Sequence, residues 1–418
     1  MSAQTTDVDI AAAGDTGGIG QSVRDYWARV RGGDIGSLPA VLGLIALVIL
    51  FGALEGSTFL SIFNFANLIN QSAAIIVLAM GLVFVLLLGE IDLSAGFAAG
   101  TCAAILAVAL NNWGLAWPIA LLAALLTGVV IGLMIGVLVA RLGIPSFVVT
   151  LAMFLALQGA MLLIIGEGGT IPIRSDAILV VMNGNMSVVA GWVLAVVIVG
   201  GFALSTLLAI RRRRKAGLPA EAMSVWAIKV IALAALIFIA TYLLNQERQL
   251  PSAKVTIQGV PWVVVVILVL LVGLTFILQR TGFGRHVYAV GGNREAARRA
   301  GINVKGLMIT CFVFCSTLAA IAGVLLASRD NSVSPTTGGA QTLLFAVGAA
   351  VIGGTSLFGG RGKIRDAVIG GLVIAVIANG LPLITQQSGI QFIVTGLVLL
   401  VAASVDAISR RRTAATGS

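Results

Sequence analysis

The sequence predicts an all-α fold, a polytopic bundle of membrane-crossing helices, and three observations lead to it. Hydrophobic residues make up 59% of the 418 and charged residues only 10%, with a mean hydropathy of +1.08; a soluble domain carries roughly 25% charged residues. Apolar runs recur along the chain, each long enough to cross a hydrocarbon core of about 30 Å as a helix. The 26 basic residues behind the net charge of +10 fall almost entirely between those runs, which argues against nucleic acid as their partner and for a lipid bilayer. The short alternating segments of a membrane β-barrel do not occur.

Taken in order, residues 1–37 form a polar, glycine-rich tail with Arg24, Arg29 and Arg31 just before the first apolar run. A cleavable signal would begin basic and end at a small-residue site, so this tail is expected to stay in the cytoplasm ahead of an uncleaved span. The apolar region, 38–408, holds twelve apolar segments. They cover 38–54, 73–89, 95–110, 118–140, 144–165 and 187–210, then 225–244, 261–279, 308–327, 341–358, 367–385 and 391–408. A basic end, 409–418, follows. With the first segment leaving the cytoplasm, 21 of the 26 basic residues lie on the inner side, so the positive-inside rule places both termini of this multi-pass chain in the cytoplasm.

An internal echo bears on the number of spans. Gly89–Gly96 (GEIDLSAG) resembles Gly353–Gly360 (GGTSLFGG), and Gly143–Ala152 resembles Gly389–Val398, in the same order. Two apolar segments separate the first motifs and one the second, so a pseudo-repeat requires a broken or re-entrant segment, and ten to twelve full spans are expected.

Individual motifs sharpen the function class. Arg211–Lys215 (RRRRK) directly follows a span and reads as a topogenic anchor that also attracts anionic lipid. Gly128, Gly132 and Gly136 recur every four residues and let a neighbouring helix approach closely. Val351–Ile364 fails as a phosphate loop, because Leu357 and Ile364 occupy the positions that need glycine and Ser/Thr. Its glycines, Gly353, Gly354, Gly359 and Gly360, suit a broken helix or gate, as do Gly89, Glu90 and Asp92 at the other echo. Glu90 and Asp92 sit at a segment end with water in reach, so Asp92 reads as a helix-end or capping residue rather than a proton carrier. The segment centres otherwise offer only Lys229. Three cysteines inside apolar runs and one histidine, His286, build neither a disulfide framework nor a metal site. No catalytic constellation and no cofactor site are expected.

One polar island stands out between the long runs, Gly284 to Ile302, within the loop 280–307. Asn293 is a good N-cap, Glu295 lies in the first turn, Arg298 and Arg299 in the last, and Gly301 suits a left-handed cap. These cues predict a two-turn helix, Arg294 to Ala300. Too short to be stable alone, it needs something to dock against: Ala296 and Ala300 share a smooth face that permits close approach, and its arginines can meet acids of a partner.

Four stretches resemble one family. FGRHVYAVGGNREAARRAGINVKG, GEIDLSAG, GIPSFVVTLAMFLALQG and AVGAAVIGGTSLFGGRGK together are similar to the membrane subunits of bacterial ABC sugar importers, the ribose, galactose and xylose permease group. The resemblance covers about 38–408. It implies that the island carries a coupling helix contacting an ATPase, with the family's E-A-A…G core matched by Glu295, Ala296, Ala297 and Gly301, and with Gly284, Arg285 and Asn293 alongside. It further implies an ATPase with two nucleotide-binding domains that binds the ATP, an extracytoplasmic sugar-binding protein, and a second permease copy. Glu90 and the stretch from about 205 to 260 are more like the longer xylose-type branch, making a pentose the preferred substrate. The alternatives are an ion-coupled secondary transporter, for which midplane ionisable groups are lacking, an ABC permease for branched-chain amino acids, and a membrane enzyme of lipid metabolism.

Overall fold

The computed structural model describes residues 37–218, 220–249 and 256–415. All but the last residue of the tail expected over 1–37 lie outside the described residues, as do Lys254 and residues 416–418. Within them, every one of the twelve expected apolar segments forms a helix. Eight are long and apolar enough to cross a membrane, and four shorter apolar helices accompany them.

In chain order the larger unit begins with α1 (Leu38–Leu54), α2 (Gly56–Phe59), α3 (Ile62–Leu87), α4 (Ala95–Asn111), α5 (Trp117–Ala140), α6 (Ser146–Ile165), β1 (Ile171–Pro172) and α7 (Asp176–Asn183). A second unit, residues 186–260, then holds α8 (Val188–Lys215), α9 (Met223–Leu244), β2 (Arg248–Gln249) and β3 (Thr256–Ile257). The larger unit resumes with α10 (Val263–Arg280), α11 (Gly282–Gly292), α12 (Arg294–Arg299), α13 (Val304–Asp330), β4 (Ser332–Val333), α14 (Gly339–Gly353), α15 (Ile364–Ile384) and α16 (Ser388–Ala415).

The second unit is a helical hairpin closed by a two-stranded turn. Its helices meet through Trp192 and Phe238, with ring centroids 6.1 Å apart, and through the Trp226 indole, which donates to Thr206 Oγ1 at 3.0 Å. Lys229, expected as the one ionisable group at a segment centre, instead sits in the second turn of α9 and pairs with Glu221 outside it. A long lysine stem near a helix end reaches polar surroundings at small cost.

In the larger unit α3 is central, with Ala73–Leu88 buried on every face, as a helix that is apolar all round must be. α13 packs against α3, α4 and α5, and α15 against α3 and α14. The glycine stripe makes the α5–α13 contact. A methyl group on Gly128, Gly132 or Gly136 would lie 2.6 to 2.8 Å from Ser316 O, Val313 Cα or Ile309 Cα. The neighbour these glycines were expected to admit is thus a helix of the same chain. On the outer faces of α5, α6 and α10, Val130, Leu155 and Val269 are exposed, which suits contact with lipid tails.

Two boundaries differ from the sequence reading. α3 begins at Ile62 rather than near 73, because Asn64, Asn67, Asn70 and Gln71 interrupt the apolar run without interrupting the helix. α14 stops at Gly353 rather than 358, and a glycine-rich link follows.

A break in a crossing also exists, but between β4 and α14. β4 pairs antiparallel with β1 near the C-terminus of α4, where the Asn111 amide donates to Pro172 O. Six residues after Val333, Gly339 O lies against Gly96 in the first turn of α4. Residues 334–338 therefore descend through the bundle as non-helical chain, and α14 is a shortened helix. Of the echoed motifs, Gly89–Gly96 and Gly353–Gly360 are both helix-to-helix links at one end. The second pair falls at opposite ends, because Ser146 begins α6 beside Ile91 whereas α16 starts beyond the far end of α15.

Candidate functional site

Three stretches far apart in sequence meet where α3 ends. Gly360 N–H donates to Leu87 O, the last carbonyl of α3, at 2.9 Å. The link carrying Gly360 turns through Gly354, Gly359 and Gly360 at φ of +118°, +86° and +74°, values that side-chain-bearing residues rarely adopt. Ser356 N–H donates to Arg361 O at 2.9 Å and closes the loop. Gly353 packs on Asp366 O, while Lys363 N–H donates to Asp366 Oδ2 at 2.7 Å to start α15. Lys363, which follows Gly362 as in a phosphate loop, thus has its backbone engaged in beginning a helix.

The polar island lies on this junction. α11 brings Gly291 so close that a methyl group there would stand 1.9 Å from Leu87 O and 2.7 Å from Gly360 N. Tyr288 donates its hydroxyl to Gly362 O at 2.7 Å. Burial, with Asp366 nearby, pushes the phenol above its ordinary range and keeps it a donor. Arg294 forms an ion pair with Glu90 and donates to Leu88 O at 3.4 Å. Glu90 is 11% exposed and Arg294 48%, so the pair is partly shielded from water. Gly89, at φ +73°, faces Phe358 O across the same contact.

Most cues for the short helix hold. Asn293 Oδ1 accepts from Ala296 N–H at 2.9 Å, and Gly301 takes the left-handed conformation at φ +84°. α12 ends at Arg299 with Ala300 as its cap, one residue earlier than expected. Three expectations need correction. The island is two helices, since Thr281 caps α11 by accepting from Gly284 N–H. Gly284 and Ala297 face inward: a methyl on Gly284 would meet Leu278 O at 1.9 Å, and Ala297 is 5% exposed. The face left open carries Arg285, Asn293, Glu295, Ala296, Ala300 and Gly301. Finally, Arg298 and Arg299 already pair with Glu295 at 3.0 and 3.1 Å, contacts that are worth little on an exposed surface.

Asp92 was expected near water but is fully buried, because the link dips inward after Glu90. Its Oδ1 accepts from Ser94 N–H at 2.9 Å and Ser94 Oγ at 2.6 Å, and Cys315 of α13 lies beside it. The carboxylate thus orders the turn before α4, whose N-cap is Ser94. No group of three or more potential metal ligands occurs among the described residues. Tyr288 and Gly291 were missed in the sequence, where only the Gly-Gly step before Asn293 hinted at a tight contact.

Fold and junction define a multi-pass membrane protein whose polar helix pair is locked onto the ends of its central helices. Residues 64–403 match the family described as "Branched-chain amino acid transport system / permease component", and the chain belongs to this family of membrane permeases. It is 36% identical to the xylose transport system permease protein XylH of Haemophilus influenzae, over 90% of this chain and 98% of that one. Identity is 30% with the ribose import permease RbsC of Escherichia coli, over 92% and 97%. With the fructose import permease FrcC of Rhizobium meliloti it is 29%, over 88% and 86%. No solved structure matches the chain.

Proposed function

We propose that this chain is the membrane-spanning subunit of an ATP-driven importer for a monosaccharide, a pentose such as xylose. The observation that carries the proposal is the 36% identity to a xylose permease across nearly the whole of both chains. The other relatives named above are permeases for ribose and fructose, which favours a sugar over the amino acids in the family's description. In this reading the permease does no chemistry. An ATPase with two nucleotide-binding domains engages the open face of α12, an extracytoplasmic binding protein delivers the sugar, and a second copy of the chain completes the complex in the inner membrane. Both termini face the cytoplasm. Movement of α12 then pulls on the junction through Arg294, Tyr288 and Gly291, and so on the ends of α3, α14 and α15.

Proteoliposomes holding this chain, its ATPase and its binding protein should accumulate xylose only when ATP is supplied inside. Xylose should outcompete ribose and leucine. Accumulation driven by an ion gradient through this chain alone would instead establish a secondary carrier.

A further inference from the structure

The half of α3 that the sequence reading cut away holds chemistry the junction does not use. Asn64, Asn67, Asn70 and Gln71 lie within about 120° of one another on the helix and rise over about 10 Å along it. α3 ends at the junction, so this amide face lies toward the opposite end of the bundle. At about 1.5 Å per residue the 26-residue helix exceeds a hydrocarbon core of about 30 Å, which places Asn70 and Gln71 inside the core.

Two of the amides are anchored. Asn64 and Asn379 of α15 exchange reciprocal hydrogen bonds of 2.8 and 2.9 Å. Asn379 also donates to Gln71 Oε1 at 3.2 Å, which orients the glutamine and leaves its amino group without a partner among the described residues. The side chains of Asn67 and Asn70 bond to nothing among the described residues, and Asn70 Oδ1 is shielded from solvent without a donor. An acceptor left empty in this way is unfavourable, as is a carboxamide turned to lipid. The arrangement suits a partner that donates and accepts together. α3 carries no ionisable side chain, and α15 carries only Arg365 and Asp366, both in its first turn at the junction end. A zwitterionic amino acid would find no countercharge here, whereas each hydroxyl of a neutral polyol both donates and accepts.

We infer that the Asn67–Asn70–Gln71 face lines the solute path and contacts the hydroxyls of the passing sugar. The Asn64–Asn379 clamp holds that face in register. This rests on the reading of the chain as a monosaccharide permease.

The test uses the reconstituted importer. Asn70→Leu should lower xylose uptake at least about tenfold, the scale of a lost polar contact to a substrate hydroxyl, while the protein level and co-purification of the ATPase stay at wild type. Independently, Asn67→Cys and Asn70→Cys should react with a water-soluble thiol reagent and be protected by transported xylose. The native cysteines, Cys102, Cys311 and Cys315, are buried and leave a low background. Wild-type uptake by Asn70→Leu, or an unreactive thiol at both positions, overturns the inference. So does a disulfide joining two copies through Asn70→Cys, which makes the face an interface between subunits. A wild-type complex that moves amino acids and no sugar refutes the proposed function instead, and the labelling result then decides whether this face meets water.

Discussion

Gly291→Val should abolish most transport without detaching the ATPase. The first atom of the new side chain would fall 1.9 Å from Leu87 O and 2.7 Å from Gly360 N, so it must break the hydrogen bond joining α3 to the glycine link or lift α11 away. Backbone atoms cannot yield as a flexible side chain does, and ordinary overpacking already costs about 1–3 kcal/mol. Uptake should therefore fall by at least about tenfold, equivalent to about 1.4 kcal/mol. The neighbouring Gly292→Ala is the control, since a methyl group there meets nothing within 4 Å, and it should transport like wild type. Equal uptake by Gly291→Val and Gly292→Ala would show that the junction transmits nothing.

Reversing the charge of Glu90 should be nearly as damaging. Glu90→Lys sets a lysine against Arg294 in a site where the acid is 11% exposed, replacing attraction by repulsion and leaving α12 without its tether. Simple removal by Glu90→Gln should be milder, about 1 kcal/mol or less, because the arginine is half exposed and solvent screens the pair. The informative quantity is the number of sugars moved per ATP hydrolysed, measured for each single variant and for Glu90→Lys with Arg294→Glu. Restoration in the double variant establishes direct coupling between the two positions. A double variant as poor as Glu90→Lys alone would mean that the pair carries no signal.

These two sites show where sequence reading succeeds and where it stops. Local signals were legible because their partners are near in sequence: Asn293 caps a helix three residues on, and Gly301 ends it. The Gly128–Gly136 stripe announced a close helix contact by its own spacing, though not that α13 is the partner. The twelve apolar helices were legible from length alone. The start of α3 was not, since amides inside a membrane helix look like the end of an apolar run until α15 supplies Asn379 as their partner. The junction was hidden for a related reason, Leu88 and Arg294 being 206 positions apart. The spacing of Ala296 and Ala300 did announce their shared face, but not that the fold itself consumes Ala297. Ala297 turned out to face inward, so Ala297→Trp would disrupt the island and report nothing about a partner.

Ala296 and Ala300, both exposed, are therefore the positions at which the central claim can be tested. The most direct measurement is co-purification of the ATPase with Ala296→Trp and Ala300→Trp, alongside sugar-stimulated ATP hydrolysis in the reconstituted complex. If the open face of α12 is the docking surface, both variants insert in the membrane at wild-type levels, lose the ATPase on purification and lose the stimulation. Retention of the ATPase and of stimulated hydrolysis in both variants would contradict the account and move the coupling contact away from this helix.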